Sequence, residues 1–394
     1  MLDLQPDKNT SVFLDGDLSH AETQRRREGG SPASAIPFDR SSWKRVRLGE
    51  VCKLCRGVRV VRSQLSQGRY RVYQNSLIPL GHYDKCNTPA NTTFVIAAGS
   101  AGEIGYCDEP FWAADDCFFL LPNEDVKSKF MYYSLAAQQQ YISGLVRRGS
   151  VPRLARDIVG NLLLLLPDIA EQDKIIKALT AIDIHISKFQ ALIDKYEAIK
   201  KATVNLLLVP RKNWRQIRLG DIGEVSMCKR ILKSQTSATG DVPFFKIGTF
   251  GKQPDAFISR TLFEDFKRKF SYPKVGDVLL SAAGTIGRTV VFNGENAYFQ
   301  DSNIVWIAND ESIISNPFLN VVYSQINWQT ENGGTVSRLY NANIQNTIVP
   351  IPDIGAQKRI VMILDSLDDT IIGLKAQLAK SQAIKQGMMS HFFG

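Results

Sequence analysis

Pro167-Asp-Ile-Ala-Glu-Gln-Asp-Lys-Ile-Ile-Lys-Ala-Leu179 returns 185 positions later as Pro352-Asp-Ile-Gly-Ala-Gln-Lys-Arg-Ile-Val-Met-Ile-Leu364. The same shift runs without a gap from 149–202 to 334–387. Gly149, Val151, Arg153 and Leu154 answer to Gly334, Val336, Arg338 and Leu339, and Ala198-Ile-Lys200 answers to Ala383-Ile-Lys385. A chain that carries one unit twice is expected to form a pseudo-two-fold body, suited to a two-part partner of related geometry.

Working outward, Trp43-Lys-Arg-Val-Arg-Leu-Gly-Glu50 resembles Trp214-Arg-Gln-Ile-Arg-Leu-Gly-Asp221. Ala101-Gly-Glu-Ile-Gly105 resembles Ala283-Gly-Thr-Ile-Gly287, and Tyr133-Ser134 resembles Tyr323-Ser324. The order of landmarks is kept while the residues between them diverge. Each half is therefore a variable globular region followed by a more constant segment.

The constant segment has the clearest period in the chain. Ile175, Leu179, Ile182, Ile186, Phe189, Ile193 and Tyr196 alternate steps of four and three, and Ile360, Leu364, Leu367, Ile371, Leu374 and Leu378 repeat that register. Apolar a and d positions with polar residues between them predict a long helix with a coiled-coil seam. Pro167 and Pro352 stand just before each helix, where proline is tolerated. A buried helix of an ordinary bundle is the alternative, disfavoured because the seam occurs twice in one register and the two helices can pair with each other. About 38 residues at about 1.5 Å each make a rod near 57 Å long.

In the variable regions, Val72-Tyr-Gln, Thr93 to Ala97, Cys117 to Leu121, Leu162 to Leu166, Val278 to Ser281, Thr289 to Phe292 and Ile304 to Ile307 are short apolar runs between turn residues. Their length and residue types suit strands. Lys127 to Gln140 and Pro317 to Trp328 read as one helix apiece. The expected fold class is α+β: two tandem mixed domains and two long helices. The division is a tail at 1–42, a first domain at 43–166, a first helical spacer at 167–212, a second domain at 213–351 and a second spacer at 352–394.

The 394 residues are 44% hydrophobic, enough for two cores of ordinary size. No apolar stretch approaches the length needed to span a membrane, and residues 1–42 lack the apolar core of a signal peptide. Six irregularly placed cysteines suggest a reducing cytoplasm rather than a disulfide framework.

The net charge of +9 favours a polyanionic partner. The excess is concentrated. Lys44, Arg45, Arg47, Lys53, Arg56, Arg59, Arg62, Arg69 and Arg71 form one run, and Lys229, Arg230, Lys233, Lys246 and Lys252 form a second group. Gln74, Asn75 and His82 stand near the first, and Asn and Gln side chains match adenine edges. The candidate DNA-binding residues are Arg56, Arg59, Arg62, Arg69, Arg71, Gln74, Asn75, Arg153, Lys229, Arg230, Lys233, Lys246 and Arg338. For any one of these a solvated face is the simpler reading; for the group, nucleic-acid contact is preferred.

No catalytic set emerges. Ala98-Gly-Ser-Ala-Gly-Glu-Ile-Gly105 lacks the Gly-Lys-Ser/Thr ending of a P-loop and reads as a tight turn between strands. Ser315-Asn-Pro-Phe318 only faintly resembles the loop of amino-methyltransferases, and no glycine-rich cofactor motif precedes it. Cys52-x-x-Cys55 with His82-x-x-x-Cys86 offers zinc-ligand types, yet the second copy has Gly223 and Ser226 near the CxxC positions, so the repeat does not require a metal.

The tandem order resembles the specificity subunit of type I restriction-modification systems. That order is a Trp-x-x-x-x-Leu-Gly opening, an Ala-Gly-x-Ile-Gly turn, a Tyr-bearing helix, a Gly-Ser/Thr-Val-x-Arg-Leu loop, a Pro-Asp-Ile-x-x-Gln step and a long helix. The resemblance covers about residues 43–394. It implies a DNA-reading subunit without catalysis, each domain taking one half of a bipartite, asymmetric site in double-stranded DNA. The helices would pair antiparallel and dock two methyltransferase subunits. No cofactor is expected on this chain; S-adenosylmethionine, ATP and Mg are expected on the methyltransferase and restriction-translocase subunits. Glu171 fits the family's habit of glutamate before the step glutamine, whereas Ala356 departs from it. The competing reading is a coiled-coil scaffold whose β-rich modules bind protein or RNA.

Overall fold

The computed structural model describes residues 40–328 and 338–394. The tail reading over 1–39, and Gly334 and Val336 of the repeated loop, lie outside the described residues.

Near its amino-terminal end the first domain pairs β1 (Lys44–Arg47) antiparallel with β9 (Leu163–Leu166), just before the long helix begins. Between them lie a four-stranded and a three-stranded sheet. The first runs in the order β2 (Cys52–Arg56), β8 (Cys117–Pro122), β5 (Thr92–Ile96), β6 (Ile104–Cys107). The second runs β4 (Gly81–Tyr83), β3 (Tyr70–Tyr73), β7 (Trp112–Ala113), with β3 and β7 parallel.

The second domain repeats all three sheets. β10 (Arg215–Arg218) pairs with β18 (Ile348–Ile351). β11 (Val225–Ser226), β17 (Ile304–Ile307), β14 (Val278–Ser281) and β15 (Thr289–Val291) follow the order of the first four-stranded sheet. β13 (Phe257–Ile258), β12 (Val242–Phe245) and β16 (Tyr298–Phe299) follow the order of the three-stranded one, with β12 and β16 parallel. Each apolar run read as a strand thus sits at or within one residue of a strand, because uninterrupted apolar residues bury both faces: Thr92–Ile96 and Val278–Ser281 are buried throughout.

The long helices span Ile169–Leu207 and Ile354–Phe393, 39 and 40 residues. Each has an aspartate at its start: Asp168 Oδ1 accepts from Glu171 N at 2.8 Å and Asp353 Oδ1 from Ala356 N at 2.8 Å. The chain divides into two compact units, one running to Ala181 and including Lys385–Gly394, the other Ile182–Ile384. In the second unit the helices pair antiparallel. Lys200 Nζ meets Asp368 at 2.5 Å, Lys375 Nζ meets Glu197 at 2.7 Å, and Val204 shares a core with Ile360 and Leu364. In the first unit Phe392 is buried against the cluster that holds Ile175 and Leu179. There the Arg40 guanidinium donates to the carbonyls of His391 and Gly394, and the Trp43 indole N–H donates to Glu171 Oε2 at 3.0 Å. In the second unit the four-three steps continue beyond the apolar heptads through half-buried Lys200 and buried Ser381.

Two helix readings need correction. Lys127 to Gln140 is not one helix but Ser128–Ala137 and Gln139–Gly144, broken at Gln138, whose amide donates to Ser134 O and Leu163 O at 3.2 and 3.1 Å. The second-domain helix is Asn316–Tyr323 and stops before Trp328, whose ring instead packs edge-on to Tyr323 at 5.5 Å. Several helices escaped the sequence reading: the short Leu48–Val51, Arg156–Gly160 and Asn341–Asn346, and the longer Arg260–Lys269, capped by Ser259 Oγ accepting from Leu262 N at 3.3 Å.

Candidate nucleic-acid interface

In each domain three separate segments meet at a glycine turn. The β5–β6 hairpin turns through Gly99 and Gly102, with φ of +85° and +89°. Gly99 N donates to Pro152 O at 3.2 Å, Ser100 N to Asn75 O at 2.9 Å, and Leu154 N to Ala97 O at 2.8 Å. A side chain at Gly99 would place its Cβ 2.7 Å from Asn75 O, so only glycine lets the strand end approach. Gln74–Asn75, the turn and Arg153 are thereby one site. Arg153 is held by two backbone bonds to Arg147, at 2.9 and 3.1 Å.

The second domain builds the same meeting point. Gly284 and Gly287 have φ of +64° and +87°, and Leu339 N donates to Ala282 O at 2.8 Å. Arg338 Nη2 donates to Ser302 O at 3.2 Å. Lys246 and Ile247 stand where Gln74 and Asn75 stand, since Gln300 N donates to Phe245 O as Ala114 N donates to Tyr73 O, at 2.9 and 2.8 Å. The glycine runs are turns, as read, and they collect the residues that differ between domains.

The other basic candidates are exposed. Arg56, at the end of β2, donates to Asp115 O at 2.8 Å. Arg59 and Arg62 are exposed on the following loop. Arg69 lies 6.0 Å from the Tyr70 ring and Lys229 lies 5.2 Å from that of Phe270. Three candidates have acidic neighbours in their own domain: Arg71 with Glu109 at 3.6 Å, Arg230 with Asp301 at 3.6 Å, and Lys246 with Asp255 at 2.8 Å. A hydrogen bond with Tyr73, then Glu109, raises the Arg71 guanidinium above its ordinary value. Such exposed pairs hold a side chain in place at little energetic gain.

Sequence reading missed a repeat inside the basic run. Arg59-Val-Val-Arg-Ser-Gln64 matches Arg230-Ile-Leu-Lys-Ser-Gln235 at a shift of 171, the same shift that relates Trp43 to Trp214. Both copies form a single 3-10 turn, Arg62–Gln64 and Lys233–Gln235. Gln64 Oε1 accepts from Val61 N at 2.9 Å and Gln235 Oε1 from Leu232 N at 2.8 Å. Val60 and Ile231 anchor the loops in the core.

The sequence also undervalued the step glutamines, which are fully buried and placed alike. Gln172 Oε1 accepts from Lys127 N at 2.9 Å while its Nε2 donates to Asp125 O and Pro167 O at 2.8 and 3.0 Å. Gln357 accepts from Ser315 N at 2.9 Å and donates to Ile313 O and Pro352 O, both at 3.0 Å. Each amide ties the start of a domain helix to the start of a long helix. Glu171, in turn, serves Trp43 inside its own unit.

The CxxC pair is split by strand geometry. Cys52 and Cys55 are three residues apart on β2, so their side chains point to opposite faces: Cys52 joins one core cluster and Cys55 packs against another. Burial, then Cys55, pushes the Cys52 thiol up to about 12. Burial also raises Cys228 to about 12, which disfavours the thiolate that metals bind. Among the described residues no group of three or more His, Cys, Asp or Glu is placed to hold a metal, and no helix is long and apolar enough to cross a membrane.

The sequence model for the type I restriction modification DNA specificity domain matches twice, at residues 40–195 and 211–386. The chain belongs to that family, as a type I specificity subunit with two tandem DNA specificity domains. It is 41% identical over 269 residues to a putative type I restriction enzyme specificity subunit of Haemophilus influenzae, covering 66% of this chain and 69% of that one. It is 24% identical over 341 residues to a putative type I specificity subunit of Mycoplasma pneumoniae, covering 82% and 88%. Its fold is similar to the crystal structure of the type I restriction-modification S subunit from M. genitalium, with a TM-score of 0.67 at 17% identity over 90% of this chain and 96% of that one.

Proposed function

We propose that this chain is the non-catalytic sequence reader of a type I restriction-modification complex in the cytoplasm. Each domain reads one half of a bipartite, asymmetric site in double-stranded DNA, and the long helices set the spacing. The observation that carries the reading is the pair of matched glycine-turn sites. The scaffold of the turn is the same in both domains, whereas the strand end delivered to it is Gln74–Asn75 in one and Lys246–Ile247 in the other. Unlike side chains on like scaffolds suit unlike half-sites.

The helices dock two methyltransferase subunits, and repeated exposed apolar residues support this. Ile199 and Ile384 are 38% and 45% exposed at corresponding positions, and Leu163 and Ile348 are 48% and 61% exposed at the starts of β9 and β18. Similar apolar surfaces offered twice fit two copies of one partner. Those partners bring S-adenosylmethionine, and restriction-translocase subunits bring ATP and Mg.

The test is methylation-sensitive sequencing of host DNA with the chain present and deleted. The expected result is a bipartite methyladenine motif that disappears on deletion and returns with the intact gene. A motif that persists without the chain overturns the reading.

A further inference from the structure

We infer that the repeated 3-10 loops, Arg59–Gln64 and Arg230–Gln235, are backbone clamps that grip DNA phosphates alike in both domains and carry no sequence choice. The inference rests on the DNA-reading function proposed above and divides its labour. Two domains that read different half-sites share only what half-sites share, which is the sugar-phosphate backbone. Whatever the domains have in common therefore serves the fold, the partner subunits or the backbone: burial marks the first, and among exposed residues apolar surface suits a partner while cations suit phosphate.

Within each loop the fold-serving residues are evident. Val60 and Ile231 are buried, and Gln64 and Gln235 close the turn onto its own main chain. The main chain around the turn is also matched: Ser66 N donates to His82 O, and Ser237 N to Phe257 O, both at 3.0 Å. Arg59 and Arg230, Arg62 and Lys233, and Ser63 and Ser234 are all exposed, and although Arg230 also faces Asp301 at 3.6 Å, the core gives no reason for the recurrence of the set. Two cations and a hydroxyl, carried on or beside a turn whose main chain is closed by its glutamine, are suitable donors to phosphate. The shared element keeps charge rather than fork geometry, since Arg62 is matched by Lys233. Point charge suffices for a phosphate but not for bidentate reading of guanine. The choice of sequence is left to the glycine-turn sites, where the domains differ.

The experiment uses the full chain and a random-sequence duplex, with affinity measured across a range of KCl concentrations. Each phosphate contact contributes about 0.9 to the slope of log affinity against log salt. Arg59→Gln with Arg62→Gln should flatten the slope by about 2, and Arg230→Gln with Lys233→Gln should do the same. Arg59→Lys with Arg62→Lys should keep the wild-type slope, which separates lost charge from lost folding. The methylated motif in cells carrying either glutamine variant should stay the same in both halves while the extent of methylation falls. An unchanged slope, or a changed half-site, overturns the clamp while leaving the DNA-reading function standing. A wild-type chain whose binding to duplex is indifferent to salt overturns both.

Discussion

Gln172 and Gln357 show how one side chain type can join two elements. Each is completely buried, satisfies both ends of its amide, and has a counterpart in the other domain with three corresponding main-chain partners. Gln172→Ala leaves a main-chain N–H and two carbonyls short of a partner, at a cost of about 2–4 kcal/mol. Gln357→Ala should cost the same within about 1 kcal/mol, since the geometry is the same. Urea unfolding measures both, and a loss below about 0.5 kcal/mol for either contradicts the clamp. Buried thiols give a second residue-scale expectation. Cys52 and Cys228 are held neutral by burial up to about 12, against an ordinary 9.0. Their raised folded values mean the associated stability is present in full below pH 9 and is lost as pH rises towards 12. The urea midpoint should fall over that window, and Cys52→Ala should weaken the fall while costing some stability at neutral pH.

Among the elements, the long helices were the most legible in the sequence because their signal is local and periodic. The apolar steps from Ile175 and from Ile360 give the helix, the seam and the register without knowledge of any partner. Strands made of apolar runs, such as β5, β8 and β14, were legible; charged or short ones, such as β1 and β16, were not, and neither was the strand order, since pairing such as β3 with β7 joins segments about 40 residues apart without any local mark. The break at Gln138 was hidden because the bonds that cause it reach to Leu163. The helix Arg260–Lys269 was hidden because its apolar face is narrow and its charges dominate the composition. At the candidate site the residue types were readable and the grouping was not: nothing local ties Asn75 to Gly99 or Arg153. The Lys200–Asp368 pair belongs to this scale too. Both side chains are more than a third exposed, so the pair is worth at most about 1 kcal/mol. Lys200→Glu should lower the melting temperature by a few degrees, and adding Asp368→Lys should recover most of it. No recovery in the double variant means that the two charges do not interact.

Taken as a whole, the molecule carries one topology twice with different surfaces, and that predicts separable behaviour. Replacing residues 43–160 by the matching region of a relative should change one half of the methylated motif and leave the other half alone. A change in both halves refutes the division of labour between domains. Lengthening the scaffold tests its spacing role. Seven residues inserted near Lys195 and seven near Lys380 keep the heptad register and add about 10 Å, about three base pairs. The gap in the motif should widen by that amount with both halves unchanged; an unchanged gap refutes the ruler.

The glutamine grip also bears on how such a protein changes over generations. Gln172 takes hold of Lys127 N and Asp125 O, main-chain atoms both, and Gln357 takes the matching Ser315 N and Ile313 O, with the Ser315 hydroxyl adding a longer bond at 3.4 Å. A lysine serves at one site and a serine at the other, because the bonds common to both sites are made by main-chain atoms. The joint works like a standard socket, accepting any head whose helix begins at the right place. Selection can therefore replace a head, or borrow one from another strain, without redesigning the handle.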